Sequence, residues 1–236
     1  MKDHGWIIQT LYKDSVHIYI LPLLKNRMSL SELLALVKSR APGPAPSFNI
    51  LHAVRAILLL RNESMGRASL ARKLGIGEGA VKNMIGRMKR EGIVRTMRGG
   101  CLLTEKGRKI ADEIAERIKA EAELEGITLT VAPKNYAILL KNSADKIKMG
   151  VEQRDIAVIF GASGATTLIF RNGKLLMPPD IDISVYNRRD SEIIMEKLRP
   201  EEGDVVVIGS ASDELKAMYG ALAAAISIIM PELFLS

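Results

Sequence analysis

Gly66-Arg-Ala-Ser-Leu-Ala-Arg-Lys-Leu-Gly-Ile-Gly-Glu-Gly-Ala-Val-Lys-Asn-Met-Ile-Gly-Arg-Met-Lys-Arg-Glu-Gly-Ile-Val94, continued by Arg95-Thr-Met-Arg-Gly-Gly-Cys-Leu-Leu-Thr104, decides the fold of this 236-residue chain. Leu70, Ala71 and Leu74 fall on one face of a short helix. Ala71 is small enough to let a second helix cross close by. Gly75 stands where the chain must turn, and glycine tolerates positive φ there. Val81, Ile85 and Met88 recur at i, i+4 and i+7, the buried stripe of a second helix that Gly92 stops. Ile93–Met97 and Cys101–Leu103 read as a hairpin around Gly99-Gly100, and Thr104 as the cap of a following helix. Upstream, about Asn49 to Arg61 reads as a helix with Val54, Ile57 and Leu58 inward.

This order resembles the winged helix-turn-helix transcription regulators, over roughly His52 to Glu125. More loosely, the whole chain resembles archaeal two-domain regulators with a winged-helix head and a little-characterised C-terminal domain. The resemblance implies that the second helix enters a DNA major groove and the hairpin lies along the backbone. Two departures stand out. The second helix opens with Gly77-Glu78-Gly79, where such regulators usually carry Ser, Thr or Pro, and Gly86 sits mid-helix. Each internal glycine costs about 1 kcal/mol relative to alanine. Either these glycines let the helix approach a phosphate or base closely, or they serve a tight helix crossing. Glu78 repels phosphates unless it meets a base donor such as a cytosine amino group.

The charge is placed as such a head requires. The chain carries +7 overall, but residues 61–110 hold 13 Lys/Arg against 4 Asp/Glu. Residues 111–236 hold 14 against 20. A basic head on an acidic body suits a polyanionic partner. Lys82, Asn83 and Arg87 are the expected groove-facing set, with Arg90 on the same helix; Asn can bond adenine and Arg guanine bidentately. Arg67 and Arg72 suit phosphates, and Arg95 and Arg98 sit on the hairpin, Arg98 beside its tip.

The remainder is expected to form three segments. Residues 1–46 are an extension, a helix capped by Ser29 and Glu32, and a proline-rich connector over 41–46. Residues 1–27 read as an accessory extension or an upstream mis-start. Residues 47–126 form the winged-helix domain, ending in a helix Glu105–Glu125 that either pairs with its twin in a dimer or packs on its own domain. Residues 127–236 form a small α/β domain, so the chain as a whole is α+β. Its expected strands are Ile127–Val131, Tyr136–Leu140, a hairpin Thr166–Phe170 and Lys174–Met177 around Asn172-Gly173, and Asp204–Ile208. Val151–Phe160 is either helix or strand, while Ser191–Leu198 and Ser212–Met230 read as helices. The apolar run Ala217–Met230 is shorter than the ~20 residues a membrane span needs and reads as a core helix.

Two loops could hold a ligand. Gly161, Ser163 and Gly164 belong to a small, hydroxyl-rich segment that could present N–H groups to an anion or be a plain turn. Ser210 and Ser212 follow the valine-rich strand, at the place where open α/β sheets bind ligands and helix N-termini attract anions, while Ser212 or Asp213 could equally be a plain cap of the next helix. Cys101 is the lone cysteine, which excludes an internal disulfide and suits a reducing cytoplasm. His4, His17 and His52 lack metal-ligand spacing, and no nucleophile-base set assembles. No leader or membrane span is evident, and neither metal nor cofactor is expected. The sequence therefore reads as a cytoplasmic, homodimeric regulator of transcription that binds double-stranded DNA, with residues 127–236 dimerising, binding a small-molecule effector, or both. Two alternatives stay open: an enzyme with activity in residues 127–236, or a winged helix used for protein or RNA contact.

Overall fold

The computed structural model describes residues 33–37 and 47–234. The expectations for residues 1–27, the Ser29–Glu32 cap and the connector over 41–46 lie outside the described residues. The chain is α+β. Residues 33–37 are helical, with Leu33 and Leu36 buried. Then come α1 (Ile50–Asn62), α2 (Arg67–Leu74), α3 (Glu78–Arg90), the strands β1 (Val94–Met97) and β2 (Gly100–Leu103), and α4 (Glu105–Ala115). A larger sheet follows, built from β3 (Ile118–Glu123), β4 (Lys134–Leu140), β5 (Gly164–Arg171), β6 (Lys174–Met177), β7 (Ile181–Asp182) and β8 (Val205–Ala211). Its helices are α5 (Val151–Ile159), α6 (Ile183–Tyr186), α7 (Arg188–Leu198) and α8 (Glu214–Ile229).

Local chemistry sets the ends of the first helices. Asn49 caps α1 by accepting from the His52 N–H, while the His52 ring Nδ1 accepts from the Asn49 N–H, a reciprocal box that closes two orphan donors. Gly75 ends α2 with φ of 68°, and Thr104 caps α4 by accepting from the Gly107 N–H. The hairpin turn falls one residue earlier than Gly99-Gly100. Met97 pairs with Gly100, so Arg98 and Gly99 make the turn. The reason is that β2 also pairs on its other side: Met65 and Cys101 exchange two backbone hydrogen bonds, which draws Gly100 into the strand. Cys101 is buried there, and burial pushes its thiol up to about 11.

The six strands lie in the order β3-β4-β8-β5-β6-β7, every neighbouring pair antiparallel. The expectation of ligands at the carboxyl ends of an α/β sheet therefore loses its basis, because that rule belongs to parallel strands. β8 lies inside the sheet and is buried along its whole length. Its alternate residues serve two layers. Val205 and Val207 join Ile138, Leu140 and Ile169 beneath α8, while Val206 and Ile208 join Leu139, Leu168 and Phe170 on the side of α7. Gly209 lets α8 sit close, since a methyl group there would stand 2.3 Å from the Ala217 carbonyl oxygen and the Ala221 nitrogen.

Two expected elements change. The helix expected over Glu105–Glu125 ends at Ala115, and Ile118–Glu123 becomes an edge strand paired with β4. Its Ala and Glu residues favour a helix locally, but Ala120 and Ala122 pack on the α7 side of the sheet and Ile118, across a register shift, on the α8 side, so pairing overrides propensity. Ile127–Val131 is not a strand. The Thr128 and Leu129 N–H groups both donate to the buried Asp190 carboxylate at 2.7 Å rather than to a ladder. Val151–Phe160 resolves as a helix, and the Asn172-Gly173 hairpin forms with Arg171 opposite Lys174.

Gly209→Ala is expected to destabilise the protein by about 2 kcal/mol or more, because the methyl group meets backbone that cannot rotate away. Urea unfolding measures this directly.

Candidate nucleic-acid interface

Helix α3 turns Val81, Met84, Ile85 and Met88 into the core. Lys82, Asn83, Gly86, Lys89 and Arg90 are left exposed, so the acidic part of the chain does not cover this face. The glycines resolve one question. A methyl group at Gly77, Gly79 or Gly86 would meet no other atom within 4 Å. Among the described residues they serve no tight helix crossing, and their bare backbone faces outward. The N-terminus of α3 also lacks a side-chain cap, so its first N–H groups are available to an outside acceptor. Glu78 sits exposed at that same end.

Arg87 departs from the expected groove-facing set. It is half-buried, donates to the Leu36 carbonyl at 2.8 Å, and lies over the Phe48 ring at 5.6 Å. Its guanidinium ties the 33–37 segment to α3 instead of extending outward. Helical spacing locates a residue on the rim of a face but does not reveal which neighbour arrives from outside the motif. Arg67, Arg72, Lys82, Arg90, Arg95 and Arg98 are all exposed, and among the described residues none has an ion-pair partner. Met97, beside Arg98 at the hairpin tip, is 60% exposed.

The glycine turn between α2 and α3 is braced from the far end of the chain. Tyr219 on α8 donates its hydroxyl to the Leu74 carbonyl at 2.9 Å, and burial raises its pKa. The His52 and Tyr219 rings meet with centroids 4.8 Å apart, and burial lowers the pKa of His52. Leu215 covers Gly75 so closely that a methyl group there would stand 2.6 Å from its Cδ1. Beside this, Arg55 on α1 and the Tyr136 hydroxyl both donate to Glu121 Oε2, at 2.7 and 2.6 Å. Burial works against the Arg55 charge, but Glu121 and Tyr136 outweigh it and its pKa rises. Burial, with Glu121 adding to it, raises that of Tyr136. These bracing residues carry no signal in the sequence, since Tyr219 and Leu74 are 145 positions apart.

The two candidate ligand loops do meet. Gly164 pairs with Ser210, and the Ser163 N–H donates to the Ser210 carbonyl at 2.8 Å. That contact takes up one of the N–H groups that the 161–167 loop would offer an anion. The N–H groups of Gly161, Ala162 and Ser163 are all engaged within the chain, by Val158, Ala157 and Ser210. Ser210 is buried in β8, and of the two candidate caps, Ser212 and Asp213, Asp213 caps α8. No group of three metal-ligating side chains occurs among the described residues, and no described helix is long and apolar enough to cross a membrane.

Residues 131–228, the larger part of the six-stranded sheet with α5 to α8, match a family described as a domain of unknown function, DUF4443. The solved structure of a hypothetical protein, PH0730 from Pyrococcus horikoshii OT3, is similar in fold. Its TM-score is 0.61 at 26% identity, with 79% of this chain and 98% of that one covered, so the likeness reaches outside the DUF4443 match. No curated protein matches the chain.

Arg87→Ala is expected to cost about 1–2 kcal/mol of stability, through the lost hydrogen bond and ring contact. Tyr219→Phe should cost about 1–2 kcal/mol by leaving the Leu74 carbonyl without its donor. Thermal and urea unfolding check both.

Proposed function

We propose that this protein is a DNA-binding transcription regulator whose residues 47–115 act as a winged helix-turn-helix. In this reading α3 lies in the major groove and the β1–β2 hairpin tracks the backbone. The observation that carries it is the exposed cationic set, Arg67, Arg72, Lys82, Arg90, Arg95 and Arg98, on a helix–turn–helix–hairpin frame with no internal partner for any of the six among the described residues. Cations left unpaired beside an otherwise acidic chain favour a polyanion over an apolar or basic protein partner. Asn83 is the base-reading candidate on α3, and Gly77, Gly79 and Gly86 let its backbone approach the duplex without a steric cost. The six-stranded part then acts on the head through α8, because Tyr219 and Leu215 hold the turn from which α3 projects. A displacement of α8 would re-aim α3, which is how dimerisation or an effector in residues 127–236 could change affinity.

The test is a salt titration of binding to fragmented genomic DNA, followed by sequencing of the retained fragments. A log–log slope on the order of −5 is expected if the six cations each neutralise a phosphate, falling by about 1 in Lys82→Ala or Arg98→Ala. A slope near zero would rule the reading out. Enrichment of one sequence, lost in Asn83→Ala, would place base readout on α3. Gly86→Ala should stabilise the fold by about 1 kcal/mol yet weaken DNA binding, since the same methyl group that favours the helix obstructs the groove.

A further inference from the structure

Helix α5 carries an apolar outer face that no other element covers among the described residues. Val151 is 44%, Val158 49% and Ile159 77% exposed, and Met149 just before the helix is 55% exposed. Isolated exposed apolar residues are ordinary, but a cluster on one helix marks a contact surface. Beside this ridge lies a groove of about 880 Å³ between α5 and the C-terminal end of α8. Its walls include Ile156, Phe160, Ile228 and Phe234, with the two phenylalanine rings meeting edge-on at 5.7 Å. Ridge and groove are thus neighbours on one surface, and Ile159 belongs to both.

The polar rim is equally self-complementary. It carries Lys146 and Lys148 with Glu152 and Glu232, two charges of each sign. A net-neutral rim has no preference for an anionic or a cationic partner. A two-fold axis, however, brings residue i of one copy to residue j of the other and j to i, so a patch with both signs pairs with itself.

We propose that this ridge and groove form the face through which two copies of the chain associate, with Ile159 of each seated in the groove of the other and Lys148 of each opposite Glu152 of its mate. The arrangement would suit a pair of DNA-reading heads. The groove lies at the C-terminal end of α8 and the head contact at its N-terminal end, about 20 Å apart along the helix from Leu215 to Ile228. Two copies joined at the groove hold their heads at the outer ends. The association itself does not depend on what the heads bind.

Sedimentation velocity or light scattering without DNA tests it. The wild-type chain is expected at twice the chain mass at micromolar concentration, with Ile159→Asp at the chain mass and its dissociation constant raised by about 30-fold or more. Ile159 is exposed, so the melting temperature measured below the dimer concentration should not move. Ile159→Ser, which introduces no charge, should weaken association in the same direction. Lys148→Glu should weaken association, and Lys148→Glu combined with Glu152→Lys should restore it. Tyr186→Asp, at the separate exposed patch of Val185 and Tyr186, should leave the dimer intact. A monomeric wild type, a dimer that survives Ile159→Asp, or a dimer that Tyr186→Asp dissociates would each overturn the proposal. Loss of DNA binding with the dimer retained would count against the DNA reading alone.

Discussion

The structure depends on α8 being apolar on every side. All its residues from Ala217 to Ser227 are buried, as is Ile228. A helix without a polar face must be surrounded, and in water the chain itself has to supply the surroundings. β8 and β4 cover one side, α5 a second, and the α1–α2 region a third. Gly209 and Gly220 set how closely the first two can come. Because a single helix demands all of this cover, the head and the sheet share one continuous hydrophobic core.

Where the head meets α8 the contact is partly polar, and that polarity makes it directional. Tyr219 must find an acceptor once buried, and the Leu74 carbonyl, at the end of α2, needs a donor. The pairing satisfies both groups and holds the turn in one orientation. Arg55, Glu121 and Tyr136 do the same between α1 and the sheet edge. Apolar surfaces can slide over one another at small cost, whereas these hydrogen bonds cannot be displaced without leaving a buried polar group unmet. α3 is carried on a frame whose position the rest of the chain determines, yet its own outer face stays open. That combination is what the proposed regulator needs.

Much of the site could be read in the sequence because it is local. The exposure of Lys82, Asn83 and Arg90 follows from the 3.6-residue period that buries Val81, Ile85 and Met88. The caps at Thr104 and Gly75 follow from backbone chemistry within one turn. Arg87 could not be read this way, since its partners Leu36 and Phe48 come from outside the motif. The loops at Ser163 and Ser210 resembled an anion site only while their N–H groups had no known partner. Helix α5 takes up the Gly161 and Ala162 N–H groups, and β8 that of Ser163.

Periodicity and turn chemistry, legible in the residue order alone, account for α1 to α3, the presence of the β1–β2 hairpin, the Asn172-Gly173 turn and the apolar character of β8 and α8. These depend on contacts within a few residues. Long-range packing settles the rest: Ile118–Glu123 leaves the helix for an edge strand, the six-stranded sheet is antiparallel throughout, the β1–β2 turn falls at Arg98-Gly99, and α8 braces the turn before α3. Each of those outcomes turns on which distant surface wins a shared backbone or apolar face. Local propensity, worth tenths of a kcal/mol per residue, yields there to the burial of whole side chains, worth several times more.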